Sequence, residues 1–284
     1  MKTINTILFP TDFSDTAQNA FRYCIKLADI YEADIQLLHV IYPEYEALDL
    51  PVMAAQATKE KAEAAESISK QFVELALTQL QTADQLRNVP VIHSEVEIGT
   101  PSNIIADIAR REEADLIVMG TKGEHNALER MWGSVTTAVI ERAPCHVWVV
   151  PEHAAYAEID IAAFATDLNE ADPYHIWEYG KLLEPFHPII HCVHVDGEGS
   201  VEHTMDFASL GSFFEHHAPA LQINFHTLEG EAVSNALEDF AENYEIDILA
   251  MYAPQHNWFS RLFQRSETQA MAFKTKVPLL LLKH

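Results

Sequence analysis

The stretch Met119-Gly120-Thr121-Lys122-Gly123, continued by Arg130-Met131-Trp132-Gly133-Ser134-Val135-Thr136, puts glycines at 120, 123 and 133 with a hydroxyl residue directly after the last. Residues without a Cβ let bare backbone N–H groups come close to oxyanions. The apolar run 114–119 ahead of them reads as a short buried strand, and Ser134 to Arg142 as a helix whose N-terminus adds partial positive charge. Strand, glycine loop and helix start, in that order, make a phosphate cradle. The chain has nine glycines in 284 residues, so this spacing carries weight, although glycines that only shape turns are the competing reading. Lys122 stands inside the loop, where it either reaches a terminal phosphate or lies in solvent.

Such a cradle needs a sheet to carry it. The spacing predicts a strand over 4–9, ended by Pro10-Thr11-Asp12-Phe13-Ser14, with Ser14 capping a helix whose apolar residues Ala17, Ala20, Phe21, Cys24, Leu27, Ala28 and Tyr31 recur at three and four. A strand over 34–40, a long helix from about 55 to 86 behind a loop at 43–51, and an alternating strand over 89–98 follow. Gly99-Thr100-Pro101 turns the chain into a helix over 102–111, and residues 145–150 close the unit as a fifth strand. This β-α alternation implies a parallel, doubly wound sheet covered on both faces. Ligands of such sheets sit at the carboxyl ends of the strands, which is where Asp12, Val40 and Met119-Gly120 fall.

Past Pro151 the pattern restarts. Phe164-Ala165-Thr166-Asp167-Leu168 repeats Phe9-Pro10-Thr11-Asp12-Phe13, and His194-Val195 repeats His39-Val40, both 155 positions on. Ile246 to Met251 repeats 114–119 with an offset of 132, so the second copy is shorter through its middle helix. Two tandem domains are expected, 1–151 and 152–284, each an open five-stranded parallel sheet with helices on both faces. The copies differ in chemistry. No glycine follows Gly230, so the second loop, from Tyr252 through Pro254 to Gln264, has lost all three cradle glycines and should not hold a nucleotide in the same way.

Composition narrows the partners. Lys and Arg number 18 against 43 acids, a net charge of −25 that disfavours nucleic acid and anionic membranes. A phosphate ligand would then depend on local N–H donors or a metal ion. Three widely spaced cysteines, Cys24, Cys145 and Cys192, fit a reducing compartment, and no apolar run nears 18 residues. With no signal-peptide core before Asp12, a cytoplasmic protein is expected.

Ile7-Leu8-Phe9-Pro10-Thr11-Asp12-Phe13-Ser14, Leu38-His39-Val40, Asp115-Leu116-Ile117-Val118-Met119-Gly120 and the glycine spacing before Ser134 together resemble the universal stress protein family in its tandem form. The glycine pattern resembles that of the family's ATP-binding branch. The resemblance implies a Rossmann-like, adenine nucleotide alpha hydrolase-like fold. It assigns Asp12 and the Val40 backbone to adenosine, and Gly120, Gly123, Gly133, Ser134, Val135 and Thr136 to ribose and phosphates. Pro10, Thr11, Met119 and Lys122 complete the expected binding set. The final strands, 147–150 and 279–282, are implied to be apolar edges through which such domains pair, as an internal pseudo-dimer or a homodimer.

The other chemistry-bearing residues weigh toward structure. Asp12 could act as a base, yet a ligand hydroxyl or amine explains it equally well. His125 reads as an exposed loop residue. His187, His191 and His194, or His203, His216 and His217, lack cysteine partners or an HExxH pattern, and 191 and 194 should face opposite ways on one strand, so no metal site is expected. The aromatic and basic run 257–265 reads as core packing or a contact between domains rather than a ligand site. The expected function is ATP binding in domain one, with Mg²⁺ held mainly by the phosphates and no or very slow turnover, biasing contacts with unidentified proteins in a stress response. A slow ATPase or an adenylyl or phosphoryl transferase is the enzymatic alternative, and a scaffold that binds no nucleotide is the third.

Overall fold

The computed structural model describes residues 4–42, 51–121, 134–196, 204–230, 233–253 and 276–283, the side chains of 51–55 excepted. Two units follow one another, Met1–Tyr156 and Ala157–His284. Lys122, Gly123, His125, Gly133, His203 and the run 257–265 lie outside the described residues.

The first unit runs β1 (Thr6–Thr11), α1 (Asp15–Tyr31), β2 (Asp34–Ile41), α2 (Pro51–Thr82), β3 (Ile92–Ile98), α3 (Pro101–Arg111), β4 (Leu116–Gly120), α4 (Ser134–Arg142) and β5 (His146–Val150). Its strands pair in parallel in the order β3-β2-β1-β4-β5. Parallel neighbours require crossover helices, and sheets buried on both faces carry near-continuous apolar strands. Ile7, Leu8, Phe9, Leu116, Ile117, Val118, Val147 and Trp148 accordingly have no solvent exposure. Ser14 caps α1 by accepting the Ala17 N–H at 3.2 Å, as its position predicts.

The limits of α2 and the start of β3 shift from expectation. α2 begins at Pro51, because proline is well placed in a first helical turn, and stops at Thr82 instead of running to 86. Asp84 is left-handed at φ 51°, and Asp29 accepts the backbone N–H groups of Arg87 (2.7 Å) and Asn88 (2.8 Å). That clamp also delays β3 to Ile92, together with Pro90, which has no N–H for a ladder.

The second unit runs β6 (Ile161–Ala165), α5 (Asp172–Leu182), β7 (Ile189–Asp196), α6 (Phe207–His217), β8 (Gln222–Glu229), α7 (Val233–Asn243), β9 (Ile248–Tyr252) and β10 (Leu279–Leu282). Its parallel order, β10-β9-β6-β7-β8, repeats the first. The missing length lies between β7 and β8, where the 11-residue α6 stands in for the 32-residue α2.

The repeat extends to single bonds. Asp115 Oδ2 accepts the N–H groups of Asn5 (2.8 Å) and Thr6 (3.2 Å), and Asp247 Oδ2 accepts those of Asp160 and Ile161, both at 2.9 Å. A carboxylate before the fourth strand of each copy therefore anchors the start of the first. Phe13 and Leu168, at equivalent turns, are both left-handed, at φ 63° and 57°. Among the described residues no helix is long and apolar enough to cross a membrane.

Candidate functional site at the end of the first sheet

Strand order reverses between β1 and β4, because the chain builds β2 and β3 to one side and β4 and β5 to the other. Such a switch point leaves a crevice between two connections that lead away in opposite directions. β1 and β4 pair at Ile7–Leu116 and Leu8–Ile117, short of the carboxyl ends of both strands. Pro10 and Thr11 end β1 with Asp12 directly after them, Val40 is the last but one residue of β2, and Met119 and Gly120 end β4. Ser134, Val135 and Thr136 form the first turn of α4. The described members of the predicted set thus come from neighbouring strand ends and one helix start.

Local bonds hold these residues in place. The Thr11 side chain accepts the Phe13 N–H at 3.0 Å, closing the turn that carries the chain off β1. Asp12 is exposed, and its Oδ1 accepts both the N–H (3.1 Å) and the hydroxyl (2.7 Å) of Ser14. That side chain-to-backbone turn is a usual role for aspartate ahead of a helix. The Thr136 hydroxyl, 3% exposed, donates to the Gly120 carbonyl at 3.2 Å and fastens α4 to the end of β4. α4 thus starts at the end of β4, and a helix N-terminus has the polarity an anion requires.

Sequence reasoning missed one wall of this region. A cavity of about 510 Å³ lies beside Val40, lined by Phe13 and His39 on one side and by Lys61, Ala64, Ala65 and Ile68 of α2 on the other. Phe13 stacks on His39 with centroids 4.5 Å apart and a 24° tilt, and it meets Phe72 edge-on at 5.4 Å. His39 Nδ1 lies 2.9 Å from the Thr11 carbonyl, which can only accept, so this nitrogen carries the proton. The recurrence of histidine ahead of valine in both copies was the available signal. Its physical role became visible only with the strands side by side.

The second copy keeps this framework and changes the site. His194 Nδ1 donates to the Thr166 carbonyl at 2.8 Å, and Thr166 Oγ1 accepts the Leu168 N–H at 3.0 Å. Tyr252, however, ends β9 where Gly120 ends β4, and its ring stacks on His175 at 3.7 Å and 15°. Other histidines of this unit take structural contacts: His191 stacks on His226, and His216 and His217 donate through Nδ1 to the Ser212 and Phe213 carbonyls.

The model of the universal stress protein family matches residues 3–151. The chain is 31% identical over 144 residues to a universal stress protein of Methanocaldococcus jannaschii, a stretch that covers 51% of this chain and 80% of the relative. The crystal structure of a universal stress protein from Archaeoglobus fulgidus superposes with a TM-score of 0.70 at 19% identity, covering 99% of this chain and 97% of that one. A functionally unknown protein from Pseudomonas aeruginosa gives 0.59 at 12% identity, with 99% and 92% covered. At such identities the two structures speak for the fold alone, a doubly wound, Rossmann-like one. The sequence matches speak for descent, and the chain belongs to the universal stress protein family.

Proposed function

We propose that the first unit binds ATP at the β1–β4 crevice, with Mg²⁺ carried mainly by the phosphates, and that the bound state serves a stress response through protein contacts. One observation carries this reading. Asp12, Val40, Gly120 and the first turn of α4, scattered over more than a hundred residues, all fall at strand ends or the helix start around the switch point, and the sequence between Gly120 and Ser134 carries glycines spaced for phosphate. The residues present fit the group. A carboxylate oriented by Ser14 suits ribose hydroxyls or a base amine, the strand-end backbone suits the base, and the α4 N-terminus suits phosphate.

The same chemistry supports binding above turnover. Asp12 is already engaged by Ser14, and the described residues around it offer no acidic pair of the kind that holds metal in phosphoryl transfer. ATP, when bound, would supply its own triphosphate as the metal ligand, while the protein positions it and excludes water from the base.

Calorimetric titration of the full chain with Mg-ATP tests the reading. One site per chain is expected, lost in Gly123→Val or Gly133→Val with the thermal melting curve retained. Unchanged affinity in both variants would show the cradle to be misassigned. Product formation at a constant rate over hours, abolished in Asp12→Ala, would favour the enzymatic alternative instead.

A further inference from the structure

We propose that the second unit carries a separate ligand site at the carboxyl ends of β6, β7 and β9, shaped for a small organic cation, a protonated amine on an apolar or aromatic body. The cavity there measures about 360 Å³, near the lower bound of the ~300–1,000 Å³ that small-molecule sites span. Its walls are mostly apolar, including Val193, Val195, Val233, Leu237 and Met251, with the Tyr252 ring at the end of β9.

The charged groups among the described residues that line it are of one sign. Asp172 is 2% exposed, and Asp167 is an exposed neighbour at the same strand end. Among the described residues lining the cavity there is no lysine, arginine or histidine. Asp172 stands where the first copy, at the same 155-residue offset, has Ala17, so this buried carboxylate belongs to the second unit alone. Its Oδ2 accepts the Thr166 hydroxyl at 2.5 Å and the Asn169 N–H at 3.0 Å. Both bonds fall on that one oxygen.

A carboxylate in such a place is expensive to keep charged unless something positive meets it. Desolvation by burial accordingly pushes the Asp172 carboxyl above the usual aspartate range, against the bonds from Thr166 and Asn169. An ammonium group entering the cavity would relieve that penalty, while a phosphate would meet two carboxylates and, among the described lining residues, no cation. Tyr252, in the place of Gly120, turns the space a phosphate loop would need into an aromatic wall, on which an alkylammonium or an aromatic amine can pack. The two copies would thus have parted by charge: the first selects an anion, the second a cation.

Titration of the full chain with benzylamine, benzyl alcohol and benzoate tests this, since the three differ mainly in charge. Benzylamine should bind at one site per chain, benzyl alcohol at least tenfold more weakly, and benzoate not at all. Asp172→Asn, which keeps an acceptor for Thr166 and Asn169, should weaken benzylamine at least tenfold. Val233→Trp, placed on a partly exposed rim residue, should block it without disturbing the fold. Saturating Mg-ATP should leave the benzylamine affinity unchanged. The proposal fails if benzoate binds as well as benzylamine, if none of the three binds, if Asp172→Asn and Val233→Trp both leave binding intact, or if Mg-ATP displaces the amine. The last result would place the amine at the first unit's crevice and would leave the ATP reading standing.

Discussion

His39 Nδ1 donates to the carbonyl of Thr11, its own partner in the β1–β2 register, at the point where that ladder ends. The imidazole thus does for the last carbonyl of β1 what a further strand residue would have done. It also presents its face to Phe13, so the turn that holds Asp12 is pinned from two directions. Replacing His39 by Phe keeps the stack and removes the bond, which is worth about 1 kcal/mol. If the ATP reading holds, the affinity for Mg-ATP should fall about fivefold, the equivalent of that energy. Calorimetry on the variant, with His39→Gln as a partial rescue, measures it.

Thr136 makes the corresponding tie on the other side of the crevice. Its buried hydroxyl bonds the Gly120 carbonyl, so Thr136→Val retains the shape and leaves that carbonyl without the donor. The expected outcome is a loss of about 1 kcal/mol in the stability of the first unit. A drop in Mg-ATP affinity larger than that of Ser134→Ala should accompany it. Urea unfolding and nucleotide titration of both variants separate the two effects.

Asp115 and Asp247 anchor the first strands of their units, each through two backbone donors. Substitution by Ala leaves those donors to find water at the base of a packed sheet, at a cost of about 2 kcal/mol. Asp115→Ala should loosen amide protection in β1 and β4, and Asp247→Ala in β6 and β9. Hydrogen exchange resolved by peptide reads this directly, and each variant should spare the other unit.

His191 and His226 stack with centroids 4.8 Å apart and a 3° tilt, between β7, β8 and the rings of Phe240 on α7 and Tyr244 just after it. His191 Nδ1 and His226 Nε2 are buried without a hydrogen-bond partner among the described residues. Desolvation lowers both from the ordinary 6.5, and the neighbouring ring lowers His191 further. Groups depressed on folding bind fewer protons in the native state, so their contribution to stability is present above pH 6.5 and is lost as pH falls through the native values. The melting temperature of the second unit should therefore drop between pH 7.5 and 5.5. His226→Phe, which keeps an aromatic face beside His191, should flatten that slope; an unaltered slope would assign the loss elsewhere.

Much of this protein was readable from its residue order, for reasons that are local. Ser14 as a cap, the apolar runs at 114–119 and 145–150, and the paired motifs 155 positions apart depend on nearest neighbours and on hydrophobic period, which survive without tertiary context. The end of α2 and the start of β3 were not legible, because they depend on Asp29, which lies 58 and 59 positions from the amides it clamps. The Asp12 turn was legible as chemistry, whereas its partner wall of Phe13, His39 and α2 was not, since that wall forms only when β2 lies against β1.

The sequence by itself determined the doubly wound class, the repeat, and the contrast between a copy rich in loop glycine and one without it, because composition and spacing are properties of the chain. Only the tertiary structure decided what replaced the lost cradle. Whether Tyr252 and Asp172, eighty positions apart along the chain, share a cavity depends on β6 and β9 lying side by side. Burial, which turns an ordinary aspartate into one that favours a cation, exists only once those strands have closed around it.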